Sequence, residues 1–175
     1  MPHYVPSGYL KSSVHPGERR KVTRRVLKQV REAWNTGHLP DFDAMAVSGY
    51  SGALMVGPVA ERLNKQIIVA RKTTDDCHGG KVEGVLAGED SWGSGIKVEV
   101  PDRGHPLGFN YVIFDDFISM GNTVRRIHND MEAHRAEATL VGIVLWNASP
   151  EIYKFMIDKI VQVPVVGAGY GRLDG

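Results

Sequence analysis

Apolar and polar positions along the chain follow the spacing of helices and of buried strands in turn. Every fourth residue from Val22 to Trp34 is apolar, which predicts an amphipathic helix over 18–34. The other predicted helices cover 53–63, 123–135 and 150–160, and the predicted strands cover 43–48, 66–71, 111–115, 139–147 and 161–166. Apolar strands that alternate with helices are typical of an α/β fold, so we expect a mainly parallel sheet flanked by helices.

Residues 73–108 interrupt this alternation. The segment holds eight of the chain's 20 glycines and admits only short strands, at 81–86 and 96–100. A glycine-rich segment of this length is typical of a functional lid, and we expect a long flexible loop over 73–108. The 175 residues are expected to form a single domain, of which 1–40 are an N-terminal arm and helix.

Composition and charge narrow the classes of function. The chain has 21 Lys and Arg against 20 Asp and Glu, a net charge of +1, which argues against wholesale binding to nucleic acid or to an anionic membrane. No apolar stretch approaches the ~18 residues of a membrane span, and the N-terminus lacks the apolar region of a signal peptide. The single Cys77 excludes an internal disulfide and a clustered-cysteine zinc site. We therefore expect a cytoplasmic protein with no membrane partner.

One face of the first predicted helix is basic. It carries Arg19, Arg20, Lys21, Arg24, Arg25, Lys28 and Arg31. Because no aromatic side chain is interleaved with these cations, we interpret the face as solvated, and nucleic acid is not an expected partner. His128 and His134 lie on a later predicted helix without metal-ligand spacing, and we expect both at the surface.

The strongest chemical signal is the segment 111–124, where an apolar strand ends in two adjacent acids. The strand delivers Asp115 and Asp116 to the carboxyl edge of the sheet, which is where open α/β sheets bind ligands. A tight turn into a helix follows, and its unpaired amides and the helix dipole suit a phosphate. The turn consists of Ser119, Met120, Gly121, Asn122 and Thr123.

The two acids suit a different part of the ligand, because carboxylates repel phosphate. They can accept hydrogen bonds from hydroxyl groups or hold a metal ion. A ligand with a phosphate and a neighbouring diol, such as ribose 5-phosphate, fits this arrangement. The plainer alternative is that Asp115 and Asp116 only end a strand, while Ser119 or Thr123 caps a helix.

The same segment closely resembles the phosphoribosyl pyrophosphate motif of type I phosphoribosyltransferases: four apolar residues, two acids, two more apolar residues, and a small turn with Gly and Thr. Two further segments agree in the same order along the chain. Residues 47–52, followed by a predicted helix, resemble the pyrophosphate loop of that family, and the next strand ends in Arg71 and Lys72, as it does there. The resemblance covers residues 43–146.

The resemblance implies the type I phosphoribosyltransferase fold, with a small N-terminal hood region, and a homodimer. It implies transfer of ribose 5-phosphate from phosphoribosyl pyrophosphate to a nucleobase, with Mg2+ as cofactor and release of pyrophosphate. The 119–123 turn would hold the 5-phosphate, Asp115 and Asp116 would hold the ribose hydroxyls and help place Mg2+, and the 73–108 loop would cover the site. The residues implied for pyrophosphate are Ser48, Gly49, Tyr50, Ser51, Arg71 and Lys72, and the implied catalytic residues are Asp115, Asp116, His78 and Lys72.

The residues leave the identity of the base open. Segment 71–84, with its Arg-Lys, His-Gly and Val-Glu-Gly runs, resembles the mobile loop of orotate enzymes, which favours orotate. Asp75 stands where those enzymes carry a lysine, so His78 or Lys81 would have to supply the positive charge. Adenine or another purine is the alternative base. A further alternative is a non-catalytic protein of the same fold that senses phosphoribosyl pyrophosphate or a nucleotide and uses its basic helix on nucleic acid.

Overall fold

A six-stranded sheet lies at the centre of the fold, with helices on both of its faces. The computed structural model describes residues 15–72, 96–99, 109–116, 121–134, 137–148 and 161–167. The helices are α1 (Pro16–Asn35), α2 (Gly49–Leu63) and α3 (Asn122–His134). The strands are β1 (Ala44–Ser48), β2 (Gln66–Lys72), β3 (Ile96–Glu99), β4 (Phe109–Asp115), β5 (Ala138–Leu145) and β6 (Val165–Gly167).

The strand order is β3-β2-β1-β4-β5-β6. Every neighbouring pair from β2 to β6 is parallel, and only β3 runs antiparallel, against β2. The mainly parallel sheet flanked by helices, expected from the alternation of apolar runs, is therefore confirmed. In the described ranges, none of the helices combines the length and apolar character that a membrane crossing requires.

Two apolar layers hold the helices to the sheet. On one face, α1 and α2 pack against alternate side chains of the strands, among them Met45, Val112 and Val144. On the other face, α3 covers the intervening side chains, including Ile113 and Ile143. The residues of α1 that enter the core are Val22, Val26, Leu27, Val30 and Ala33, in the spacing that predicted an amphipathic helix.

The structure departs from the predicted boundaries at two places. Helix α2 begins at Gly49, four residues before the predicted start. The last strand is shorter and later than predicted, at Val165–Gly167. Part of the predicted 73–108 loop, residues 96–99, is a strand at the edge of the sheet, where a short strand was expected. The rest of that loop, the N-terminal arm before residue 15, and the predicted helix 150–160 lie outside the described residues.

Candidate active site at the carboxyl edge of the sheet

The strand order changes direction between β1 and β4. The chain passes from β1 to β2 on one side of the sheet and later continues from β4 to β5 and β6 on the other side. In open α/β sheets, ligands bind outside the carboxyl ends of the strands at such a switch point. Ala46 pairs with Ile113, so Ser48 and Asp115, two residues further along, reach the same level of the sheet. The ends of β1 and β4 therefore flank the expected ligand crevice.

The end of β2 lies at the same edge. Ser48 of β1 pairs with Ala70 of β2, so the backbone of Arg71 and Lys72 continues one and two residues beyond the end of β1. Both residues also pair with β3, Arg71 opposite Lys97 and Lys72 opposite Ile96. The three segments singled out in the sequence thus end on three adjacent strands, β2, β1 and β4.

The two acids at the end of β4 interact with each other. The backbone N–H of Asp116 donates to Oδ1 of Asp115 over 2.9 Å, and both residues are partly buried. Burial, with the neighbouring charge of Asp116 as a second cause, raises the pKa of Asp115 well above its usual range. The site therefore favours a proton, a hydroxyl donor or a cation beside this pair.

The backbone of Asp115 and Asp116 is hydrogen-bonded to the segment that follows β5. The N–H groups of Trp146 and Asn147 donate to the carbonyl oxygens of Asp115 and Asp116 over 3.0 and 3.1 Å. These bonds continue the β4–β5 pairing past the end of both strands. They hold the backbone of the two acids in place at the carboxyl edge.

Helix α3 begins from a left-handed glycine. Gly121 has φ 74°, a conformation that disfavours any side chain, and its carbonyl accepts the N–H of Arg125 over 2.9 Å. This bond closes the first turn of α3, so the preceding N–H groups, from Asn122 to Val124, have no partner within the helix. Of the predicted phosphate turn, Asn122 and Thr123 form the first residues of α3, while Ser119 and Met120 lie outside the described residues.

Helix α2 begins directly from strand β1, which corrects the predicted loop at 49–52. Ser48 has the extended conformation of an N-cap, φ −126° and ψ 143°, but its side chain makes no capping hydrogen bond. The N–H groups of Gly49, Tyr50 and Ser51 therefore precede the first intrahelical donor and face the carboxyl edge as helix-terminal amides. Gly52 is buried near the start of α2, and a β-carbon there would be in ordinary van der Waals contact with the Cβ atom of Val47, at 3.4 Å.

The described residues fit a divalent cation only in part. They contain no group of three or more His, Cys, Asp or Glu side chains arranged to hold a metal ion. Mg2+ in phosphate-handling sites is commonly bound through one or two carboxylates, with substrate phosphates and water completing its shell. Asp115 and Asp116 match that incomplete type of site. His78 lies outside the described residues.

One cation near this edge was not expected from the sequence. Arg25 was grouped with the solvated face of α1, but it is partly buried, and its Nη2 donates to the carbonyl oxygen of Trp146 over 3.5 Å. Burial lowers the pKa of Arg25, and its Nε atom is enclosed without a hydrogen-bond partner. The position of Arg25 on the helix could have predicted this partial burial. Arg25 lies three residues after Val22 and directly before Val26, and both valines are buried.

His128 is also less exposed than expected. Its Nδ1 lies 3.4 Å from the hydroxyl oxygen of Tyr111, and its Nε2 lies 3.6 Å from Glu132. Tyr111 is fully buried, and that burial raises the pKa of its hydroxyl. The expectation of a surface histidine is therefore wrong for His128, because one turn of α3 presses it against the start of β4. These three residues lie away from the carboxyl edge and are structural in position.

The arrangement of elements has counterparts among solved structures. The chain is similar to an adenine phosphoribosyltransferase with a TM-score of 0.63 and 19% identity, over 88% of this chain and 81% of that one. For the adenine phosphoribosyltransferase of Trypanosoma brucei, in complex with AMP, pyrophosphate and ribose-5-phosphate, the TM-score is 0.56 at 17% identity, over 82% of this chain and 59% of that one. For the UMP synthase of Leishmania donovani the values are 0.59 and 16%, over 97% of this chain and 32% of the longer one.

These likenesses establish the fold. No protein-family model matches the chain, and no curated protein sequence matches it either. At identities of 16 to 19% the structural match concerns the path of the backbone rather than individual side chains. The fold implied by the motif resemblance is confirmed, and the roles of the site residues remain predictions.

Proposed function

We propose that the chain is a phosphoribosyltransferase, which transfers ribose 5-phosphate from phosphoribosyl pyrophosphate to a nucleobase and releases pyrophosphate. The observation that carries the proposal is the convergence of three motif segments on adjacent strand ends at the switch point of the sheet. Two helix N-termini and an acidic pair meet the needs of a ligand that has phosphates at two ends and a diol between them. The solved structures with this fold are consistent with that chemistry, since they include phosphoribosyltransferases.

Each part of the donor has a matching group in this proposal. The first-turn amides of α3, after Gly121, bind the 5-phosphate, and the first-turn amides of α2, with Arg71 and Lys72, bind pyrophosphate. Asp115 and Asp116 accept hydrogen bonds from the ribose hydroxyls. Departure of pyrophosphate builds negative charge on the leaving group, and fixed amides and cations aimed at that charge lower the barrier.

Mg2+ is the proposed cofactor, held by the acidic pair together with the phosphates of the donor. When bound, it neutralises charge on pyrophosphate. Asp115 is suited to this position because its raised pKa reflects a carboxyl group that gains from a nearby cation or hydrogen-bond donor. His78 and Lys72 remain the proposed catalytic cations near the leaving group.

Orotate is the proposed base, and adenine is the second candidate. Orotate is supported by the order of residues in segment 71–84, whose beginning, Arg71 and Lys72, lies at the carboxyl edge of β2. Adenine is supported by the solved structures, which include several adenine phosphoribosyltransferases. The two candidates differ in charge, since orotate brings a carboxylate to the site and adenine brings an exocyclic amino group.

The test is an assay of the full chain with phosphoribosyl pyrophosphate, Mg2+ and one base at a time. We expect pyrophosphate release that depends on a base, with the matching nucleoside monophosphate identified by mass spectrometry. The control is the Asp115→Asn, Asp116→Asn double variant under the same conditions. Binding of the donor by calorimetry, without turnover on any common base, would favour the sensor alternative and reject the enzyme.

We also propose that the protein is a homodimer. Light scattering of the purified chain should then give twice the 19.3 kDa mass of one chain. A mass of one chain at the concentrations of the assay would reject the dimer without affecting the proposed reaction.

A further inference from the structure

The solvent-facing side of α1 carries a continuous row of cations. Arg20, Arg24, Lys28 and Arg31 are all exposed, and at 100° per residue they fall within an arc of about 80° on the helix. The row extends over twelve residues, from Arg20 to Arg31, which is roughly 16 Å along the helix axis. We call these four residues the basic ridge.

Most of the basic ridge is unpaired in the part of the chain that the structure describes. The Nζ atom of Lys28 lies 3.8 Å from the carboxylate of Glu32, four residues further along the helix, and both side chains are well exposed. No described hydrogen bond or ion pair engages Arg20, Arg24 or Arg31, whereas Lys21 beside them is paired with Glu18. Within the described residues, the three arginines of the ridge therefore have no structural partner.

The charge of the molecule is concentrated on this helix. Helix α1 holds seven Lys and Arg against two Glu, a net charge of +5 on 20 residues. The whole chain has 21 cations and 20 acids, so the remainder holds 14 cations against 18 acids, a net charge of −4. The net charge of +1 thus averages two regions of opposite sign and conceals a strongly positive surface. The argument from net charge against nucleic acid does not apply to this face.

Two kinds of polyanion are disfavoured by the structure of α1. An interfacial helix on an anionic membrane inserts an apolar face into the lipid, but the apolar face of α1 is buried against the sheet and α2. Single-stranded nucleic acid is commonly held by aromatic stacking, and no aromatic residue is exposed among the ridge positions. Arginine, which makes up three of the four ridge residues, suits the planar, bidentate recognition of phosphate.

We propose that the basic ridge binds the phosphate backbone of double-stranded nucleic acid, without reading its sequence. One strand of a duplex carries a phosphate every 3.4 Å along its axis, so a ridge of roughly 16 Å spans about five phosphates of one strand. The ridge offers cations and no side chains suited to base edges, so phosphates alone are contacted. This activity is separate from the proposed transfer reaction, because the ridge lies on the outer face of α1 and not at the carboxyl edge.

The test measures fluorescence anisotropy of a labelled DNA duplex of about twenty base pairs with the full chain, over a series of salt concentrations. Four phosphate contacts predict a slope of about −3.6 in log affinity against log salt, which is about a 150-fold loss between 50 and 200 mM salt. The triple variant Arg20→Gln, Arg24→Gln, Arg31→Gln should reduce the slope to about −0.9. An RNA duplex of the same length should bind similarly, since the contacts are to phosphate.

Four controls separate this surface from others. The triple Arg→Lys variant keeps the charges and should retain most of the slope, while Arg62→Gln removes one exposed cation from α2 and should change nothing. Saturating pyrophosphate, at matched ionic strength, should not displace the duplex from the ridge. Pyrophosphate release by the triple Gln variant should equal that of the wild type, so the ridge and the proposed reaction can fail independently.

Several outcomes would overturn the proposal. One is a wild-type chain that does not bind the duplex at 50 mM salt, and another is a triple Gln variant with an unchanged slope. Displacement by pyrophosphate would assign duplex binding to the carboxyl edge instead. Binding to vesicles with phosphatidylserine or to an acidic peptide, with loss in the triple variant and no binding to either duplex, would assign the ridge to a different partner.

Discussion

The amino edge and the carboxyl edge of the sheet differ in which polar groups lie beside one another. At the amino edge, charged groups have partners that satisfy them. Lys65 lies 2.9 Å from the carboxylate of Asp41 and 5.4 Å from the ring centre of Trp34, so its charge meets both an anion and an aromatic face. The carboxylate of Asp43 accepts the backbone N–H of Asn110 over 2.8 Å and links the start of β1 to the start of β4.

At the carboxyl edge, by contrast, carboxyl groups lie beside each other, and so do the N–H groups of two helix starts. Asp115 and Asp116 hold two carboxyl groups together, with burial disfavouring charge on Asp115. The helices α2 and α3 both direct their first-turn amides to the same edge, and the side chain of Ser48 does not cap α2. Among the described residues, this difference agrees with the proposed division, in which the amino edge stabilises the fold and the carboxyl edge binds a ligand.

The largest expected effect comes from removing both charges of the acidic pair. The double variant Asp115→Asn, Asp116→Asn should lose at least about 100-fold in kcat/KM for pyrophosphate release, because the proposed contacts to ribose and Mg2+ are lost. Its free energy of unfolding should not fall, since the substitutions relieve repulsion between buried acids. The measurements are initial rates and chemical denaturation of the same preparations.

The matched control for the acidic pair is Asp43→Asn at the amino edge. It removes a carboxylate that accepts a backbone N–H, so stability should fall by about 1 kcal/mol while kcat/KM stays near wild type. Full activity of the double variant, or an activity loss in Asp43→Asn equal to that of the pair, would remove the distinction between the two edges.

The second effect concerns two glycines with the same backbone conformation. Gly121 at the carboxyl edge has φ 74°, and Gly37 after the end of α1 has φ 71°. Alanine at either position should cost about 1–2 kcal/mol of stability, the strain of a left-handed residue with a side chain. Only Gly121→Ala should also reduce turnover, by about tenfold, because it displaces the amides that bind the 5-phosphate.

Gly37→Ala is the control variant for the backbone strain of a positive φ. A β-carbon at Gly37 would meet nothing within 4 Å, so the substitution changes backbone strain alone. Thermal unfolding and pyrophosphate release of both variants give the comparison. Equal turnover in the two variants would show that the start of α3 has no special part in the reaction.

The contrast between the edges was partly predictable from the sequence. The acids at the end of β4 and the cations at the end of β2 follow buried apolar runs, and parallel strands bring such ends to one edge. A tight turn into a helix was also predicted at Gly121, and its positive φ agrees with the presence of glycine there. Strand order and register were not predictable, because they depend on packing between segments that are far apart in the chain.

Local composition misled the prediction at two positions. The glycines at 49 and 52 predict a loop, but both residues belong to α2, and Gly52 is buried beside Val47. Arg25 was assigned to solvent because its neighbours on α1 are charged, yet it lies at the margin of the apolar stripe and reaches the end of β5. In both cases tertiary contact, rather than residue type, decides the environment.

The third effect is the pH dependence of stability at Asp115. The pKa of Asp115 is raised in the folded protein, so the native state holds this proton more tightly than the unfolded chain does. The free energy of unfolding of the wild type should therefore decline as pH rises from the pKa of Asp in the unfolded chain, about 3.9, to the folded pKa of Asp115. Above the folded pKa, the loss of stability is complete. Asp115→Asn should be more stable than wild type at neutral pH, on the order of 1 kcal/mol.

This measurement uses the protein in EDTA and without ligand, so that no cation shifts the carboxyl group. Free energies of unfolding from urea titrations at pH 4 and pH 7.5 give the difference between variant and wild type. That difference should shrink toward pH 4, where the carboxyl group is protonated in the native protein. A variant equally stable or less stable than wild type at pH 7.5 would contradict the view of the carboxyl edge as strained without ligand.

The smallest effect is expected at Asp41, and it should have the opposite sign. The hydrogen bond from Lys65 lowers the pKa of Asp41 in the folded protein. The stabilisation by Asp41 is therefore present above its unfolded pKa and is lost as pH falls through its folded pKa. Because the Asp41 side chain is 81% exposed, solvent screens the pair, and Asp41→Asn should cost only about 0.2–1 kcal/mol at neutral pH. Added salt should reduce this cost further. The same urea titrations should show Asp41→Asn destabilised at pH 7.5 and equal to wild type in strong acid, the reverse of Asp115→Asn. If both substitutions shifted stability in the same direction at neutral pH, the two edges of the sheet would not differ in the way their contacts indicate.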